Sequence, residues 1–276
     1  MDPRLTPARP DLAAAHLEGQ VQAARFVPGT PRRVTAARAR LTARPNPAAS
    51  TTTELLFGEP FTVYEEREGW AWGQAERDGY VGYLSAAALG TPSEATHWLA
   101  APSSHIYPAP DLKQPPLSPL YLGSLLTLAE ETPVKGFVKI AEGWVYARHL
   151  RPLGQWADDP LAVAHQFVGA PYLWGGRSMS GIDCSGLVQM AVLACGRPAQ
   201  RDTDMQVKTL GQPVAAAKRQ RGDLVYFPGH VGLLVDRDNL LHANATHMAV
   251  TVNPLDQVLD IVRHDNPAAD MTVKRL

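Results

Sequence analysis

The two cysteines of this 276-residue chain, Cys184 and Cys195, fall within one stretch, GIDCSGLVQMAVLAC at 181–195. Apolar residues at 187, 188, 191, 192 and 195, followed by Gly196, have the spacing and stop signal of a helix. On one helix the two thiols stand roughly 16 Å apart at ~1.5 Å per residue. A disulfide needs Cα atoms within about 7 Å, so no bridge is expected. Cys195 continues the apolar stripe and reads as core. Cys184 opens the helix, where unpaired N–H groups and the macrodipole favour a thiolate. Asp183, at the end of the loop RSMSGID, is placed to cap that helix.

A nucleophilic thiol also needs a base within hydrogen-bond reach. Two of the nine histidines suit. GHVGLLVDRDNLLHANA at 229–245 reads as a hairpin. A three-residue loop pairs 235 with 239 and sets 242 opposite 232, so His242 shares a face with His230 on the diagonal. Diagonal neighbours lie ~7–8 Å apart at the backbone, and their rings can meet. A two-residue loop puts the rings on opposite faces. One histidine could then take the thiol proton while the other orients it, as in Cys-His-Asn and Ser-His-Asp sites. His230, His242, His247 and Cys184 could instead ligate zinc, but no C-x-x-C or H-x-x-x-H spacing anchors such a set. Neither a metal nor another cofactor is expected.

Two cysteines make no disulfide framework, which suits a reducing compartment. The opening MDPRLTPARPDLAAAHLEGQ lacks the basic start and apolar run of a secretory signal, and no stretch of about 18 apolar residues occurs. Cytoplasmic residence without a membrane partner is the expectation. A net charge of −1 with 19% charged residues is not the footprint of a nucleic-acid binder.

The elements that would carry these residues follow from the texture of the chain. PNPAAS (45–50), GTPSEA (90–95) and PAPDLKQPPLSP (108–119) punctuate a first half of short β-rich runs such as EPFTVYEE, WAWGQAE and YVGYL. The pattern recurs: Gly58 opens GEPFTVYEE, and Gly123, 65 residues on, opens GSLLTLAEE. Two all-β modules are therefore expected, at 31–92 and 93–153, with residues 1–30 packing across them. From 154 to 276 helices precede strands, the order of an α+β domain.

PYLWGGRSMSGIDCSGLVQ (171–189), QRDTDMQ (200–206), RGDLVYF (221–227), GHVGLL (229–234) and LLHANA (240–245) together resemble the NlpC/P60 cysteine peptidases. The β modules resemble bacterial SH3 domains more loosely. The whole resembles intracellular family members that trim peptidoglycan fragments. The resemblance implies a papain-like α+β catalytic domain preceded by two small SH3-like barrels. It implies hydrolysis of the bond between D-glutamate γ-carboxyl and a diamino acid, meso-diaminopimelate or lysine, in peptides with a free N-terminal L-alanine. By family motif Cys184 is the nucleophile, His230 the base and His242 the orienting residue. Tyr172 would help bind the oxyanion and Trp174 would wall the pocket. Ser185, Arg201 and Thr203 would meet the D-glutamate α-carboxylate. Asp183 would read the free amine unless it caps the helix, and Asp202 lies in a second matched motif. From the first module, Glu54 and Tyr80 or Tyr83 are the candidates for reading that amine. The competing expectations are a wall endopeptidase whose SH3-like modules bind peptidoglycan, an acyltransferase of the wider superfamily, and a non-enzymatic muropeptide-binding protein.

Overall fold

The structure is a computed structural model describing the backbone of residues 1–276 and every side chain except that of residue 265. The chain divides into two compact units, Met1–Leu153 and Gly154–Leu276.

In the first unit a seven-stranded sheet runs in the order Thr51–Leu56, Arg38–Thr42, Val81–Ser85, Trp70–Ala75, Pro60–Arg67, Thr30–Val34, Leu89–Gly90. Alternation along Pro60–Arg67 buries Phe61 and Val63 and leaves the intervening side chains half exposed. Residues 93–153 carry three small sheets rather than one: His97–Leu99 with Leu125–Leu126 and Leu150–Pro152, Ser103–Ile106 with Ser118–Tyr121, and Leu128–Val134 with Phe137–Ile140 and Gly143–Tyr146. Among the described residues no strand order closes on itself. The two expected SH3-like barrels are therefore not confirmed by the strand order; bulges break the register at Val63/Glu65 and within Leu128–Val134.

The internal repeat has a structural counterpart. Gly58 and Gly123 both take positive φ, +81° and +88°. Their N–H groups donate to Val34 and Leu99, in each case at 2.8 Å. Behind each turn a side-chain oxygen, of Glu59 or of Ser124, accepts from the backbone of Leu56 or Tyr121. Phe57 packs into the core of the following stretch with Leu99, Leu120 and Ile140. A Cβ on Gly58 would fall on the Leu125 carbonyl, so glycine is required there by conformation and by approach. The leading segment lies on the first module: Val81 N–H donates to the Arg4 carbonyl, and Leu12, Ala13 and Ala14 are buried.

The second unit is built on a six-stranded antiparallel sheet ordered Gln212–Val214, Thr272–Arg275, Leu224–Phe227, His230–Leu234, Asn239–Asn244, Ala249–Pro254. On it lie α2 (Cys184–Ala194), against the His230–Leu234 and Asn239–Asn244 strands, and α4 (Leu255–Asp265), against Ala249–Pro254, while α1 (Pro160–His165) and α3 (Thr203–Thr209) pack on α2. The expected one-sided stripe on α2 is exceeded, because residues 184–192 are buried on every side of the helix. The helix sits between α1 and the His230–Leu234 and Asn239–Asn244 strands, so no face remains for solvent. It stops in a Schellman motif: Gly196, at φ +71°, donates to Leu193 O and Arg197 to Val192 O. Cys195 is the C-cap and is only partly buried, not core, because the apolar stripe ends where the chain turns away.

Candidate active site

Cys184 is the first residue of α2. Asp183 caps the helix by accepting from Gly186 N–H at 2.7 Å. Its carboxylate also accepts from Gly175 N–H at 2.8 Å and from both terminal nitrogens of Arg201, at 2.9 and 2.6 Å. Arg201 is 1% exposed and donates further to Ser185 Oγ at 2.8 Å. Asp183, Ser185 and Arg201 thus form one buried cluster that locks the loop at 171–183 to the start of α2. Gly186 admits the loop, since a Cβ there would meet the Gly176 carbonyl at 2.4 Å.

The thiol of Cys184, at the same helix start, is buried. Burial, and then the Asp183 charge, push it up to about 11, against the opposing pull of Val231 N–H, the Thr203 hydroxyl and Arg201. The helix N-terminus therefore does not produce a resting thiolate, because desolvation outweighs it. Tyr172, at the head of the loop, feels the same thiol and is raised to about 12, chiefly by burial, so its hydroxyl keeps its proton. Trp174 stands at the rim, 68% exposed. Thr203 begins α3, and Asp202, partly buried, offers its carbonyl to Met205 and Gln206.

Val231 follows His230, so the sulfur lies against the strand that carries the first histidine. The hairpin has the three-residue loop. Leu233 pairs with Leu241 and Leu234 with Leu240, and Val235 N–H donates to Asn239 O. Asp236 closes the turn by accepting from the N–H groups of Asp238 and Asn239. Gly232 falls opposite His242, and a Cβ there would stand 3.0 Å from His242 Cβ. The two imidazoles meet, with His230 Nε2 2.7 Å from His242 Nδ1. Burial lowers His230 to about 3, with His242 adding to the effect, and burial also lowers His242. Burial thus favours the neutral form of the thiol and of both imidazoles.

Two further residues extend the line. His242 pairs across the sheet with Thr251, and Asn253 sits on the same face, its Oδ1 3.1 Å from His242 Nε2. The alternation T-x-N in AVTVNP was the available signal, but only the register of the Ala249–Pro254 strand gives it meaning. Beside the rings lies a cavity of about 350 Å³, bounded by Asn244, Asn253, His247 and, on α4, Gln257, Val258 and Ile261. Among the described residues no three His, Cys, Asp or Glu side chains stand as a metal-binding group; His247 turns to Asn244 instead.

The first-module candidates lie in the other unit. Glu54 is buried and accepts from Arg38 at 2.7 Å. Tyr80 is buried, and the Tyr83 hydroxyl accepts from Arg9 at 2.6 Å beneath a guanidinium that also covers Trp72.

Comparison with known proteins agrees with this division. The NlpC/P60 family matches residues 169–260, and the bacterial dipeptidyl-peptidase SH3 domain matches residues 41–89. Dipeptidyl-peptidase 6 of Lysinibacillus sphaericus is 28% identical over 257 residues, covering 84% of this chain and 94% of that protein. Gamma-D-glutamyl-L-lysine dipeptidyl-peptidase of Bacillus subtilis is 28% identical over 233 residues, 75% of this chain and 77% of its own length. The crystal structure of an NlpC/P60 family protein from Bacillus cereus superposes with a TM-score of 0.74 at 20% identity, over 89% of this chain and 99% of that one. That likeness establishes the fold.

Proposed function

We propose that this chain, which carries an NlpC/P60 domain preceded by a bacterial SH3 domain, is a cysteine peptidase of peptidoglycan-derived peptides. It cleaves the bond between the D-glutamate γ-carboxyl and a diamino acid, releasing L-Ala-D-Glu during cell-wall recycling. One observation carries the reading: a lone buried thiol at a helix start lies against the strand whose histidine is hydrogen-bonded to a second histidine. The names borne by the relatives supply the bond and the exopeptidase character.

In this reading Cys184 Sγ attacks the γ-carbonyl as His230 takes its proton, a transfer that starts from the neutral pair. The carbonyl π electrons move to oxygen, and the Tyr172 hydroxyl, protonated across the neutral range, donates to that oxyanion. Collapse expels the diamino acid amine, which receives the proton from His230, and water then hydrolyses the thioester by the same route. Thr203 meets the D-glutamate carboxylate, and Trp174 covers the peptide from the rim. Asp183 and Arg201 act by holding α2 and its loop. The cavity beside His230, apolar along Val258 and Ile261 and polar at Gln257, suits an aliphatic side chain with a polar end. Lysine and diaminopimelate both answer to that description.

Alkylation tests the nucleophile. Stoichiometric iodoacetamide labelling mapped to Cys184 should abolish hydrolysis, and chelators should leave it intact. Full activity after labelling would overturn the reading.

A further inference from the structure

The proton positions in the histidine pair follow from one backbone N–H. His247 N–H donates to Asn244 Oδ1 at 2.9 Å. A backbone N–H can only donate, so the Asn244 amide cannot be flipped, and its nitrogen points the other way. That nitrogen donates to Thr251 Oγ1 at 2.8 Å and lies 3.4 Å from the Ala249 carbonyl. Its 3.3 Å approach to His242 Nε2 competes with the Ala249 carbonyl for the second hydrogen, and the contacts of Asn253 decide between them.

Thr251, having accepted, passes its own hydrogen on. Its Oγ1 lies 2.5 Å from Asn253 Oδ1, a separation that fits O–H···O and is too short for an amide N–H donor. The oxygen of Asn253 is thereby fixed on the histidine side. It faces His242 Nε2, so that nitrogen carries hydrogen and Nδ1 is bare. His230 Nε2 must then donate across the 2.7 Å contact, which leaves His230 Nδ1 as the unprotonated nitrogen.

We infer that Asn253, held by Thr251 and Asn244, is a positioning residue that sets the tautomers of His242 and His230 and so presents a bare His230 Nδ1 as the base. The inference rests on the cysteine-peptidase reading for its consequence, but the tautomers themselves can be observed without turnover. If Asn253 did not orient His242, the 2.7 Å contact could be made with the proton on His242 Nδ1. His230 would then hold its hydrogen on Nδ1 and could not act as the base.

The test combines ¹⁵N-histidine NMR of the full chain with kinetics on the γ-D-glutamyl peptide, for wild type, Asn253→Leu and Asn253→Asp. Wild type should show hydrogen on Nε2 of both rings. Leucine keeps the size without the acceptor; it should mix the His242 tautomers and lower kcat about 10- to 100-fold, the usual cost of losing a group that orients a functional histidine, while KM holds. Aspartate keeps the acceptor and, at mildly alkaline pH, should retain both the wild-type tautomers and most of kcat. A His242 bearing hydrogen on Nδ1 in wild type would overturn the inference. So would Asn253→Leu with altered tautomers and unchanged kcat, or leucine and aspartate variants that behave alike. A wild-type protein with the expected tautomers but no hydrolysis would contradict the peptidase reading and leave the tautomer assignment standing.

Discussion

At the scale of single residues, the site holds a buried thiol, a buried His242 and a half-buried His230, and desolvation shifts all three. Because burial holds His230 well below its ordinary 6.5, at about 3, the proposed base stays neutral into mildly acidic solution. The acid limb of kcat/KM should therefore fall below pH 6.5, and a limb at or above that value would show that the cleft does not desolvate the ring. Linkage has the same sign. A histidine kept neutral in the fold leaves stability intact above 6.5 and removes it progressively as pH drops toward about 3. Acid titration of unfolding, compared between wild type and His230→Asn, should show a shallower loss in the variant across that window. Cys184 was legible as the candidate nucleophile from its type and position, but its raised pKa was not. The sequence shows the helix start, whereas the burial of the thiol is a property of the folded domain.

Elements set how finely these residues are placed. The hairpin register was open in the sequence between a three- and a two-residue loop; Asp236 closes the three-residue turn, and the period of two then fixes which faces the histidines occupy. The strand Ala249–Pro254 could not be aligned in the same way. Its partner is reached across the loop around His247, so Thr251 and Asn253 remained ordinary polar residues until the pairing was known. Gly232→Ala tests the hairpin directly. A methyl there would press on His242 Cβ, the Leu241 carbonyl and Leu240 at 2.8–3.0 Å, and overpacking of this kind costs about 1–3 kcal/mol. Activity should fall far more than thermal stability suggests, and a fully active variant would mean that His242 tolerates displacement. Asp183→Ala should exceed the ~0.5–2 kcal/mol of a lost cap, because Arg201 would remain buried without its carboxylate, a loss of about 3–5 kcal/mol. Denaturant unfolding would measure it; a change confined to the capping range would contradict the buried cluster. At the cavity, Ile261→Trp should raise KM for the diamino acid peptide with little change in kcat, and an unchanged KM would remove the leaving-group side chain from that wall.

Across the whole molecule, the chain joins two repeated β stretches to a sheet-and-helix unit that holds the thiol and both histidines. The repeat was visible as two glycines 65 residues apart, and the same turn with the same backbone bonds stands at each. The SH3-like barrels came from resemblance alone, since local alternation predicts strands but not whether a sheet closes, and here bulges interrupt the pairing. On the proposed function, Cys184 drives exopeptidase cleavage of a γ-D-glutamyl bond. A mass-spectrometric digest of L-Ala-γ-D-Glu-meso-diaminopimelate, run beside its N-acetylated form and with a Cys184→Ala control, tests it most directly. Release of L-Ala-D-Glu from the free peptide alone, absent in the variant, is the predicted result. Cleavage that survives Cys184→Ala, or that proceeds equally on the acetylated peptide, would contradict it.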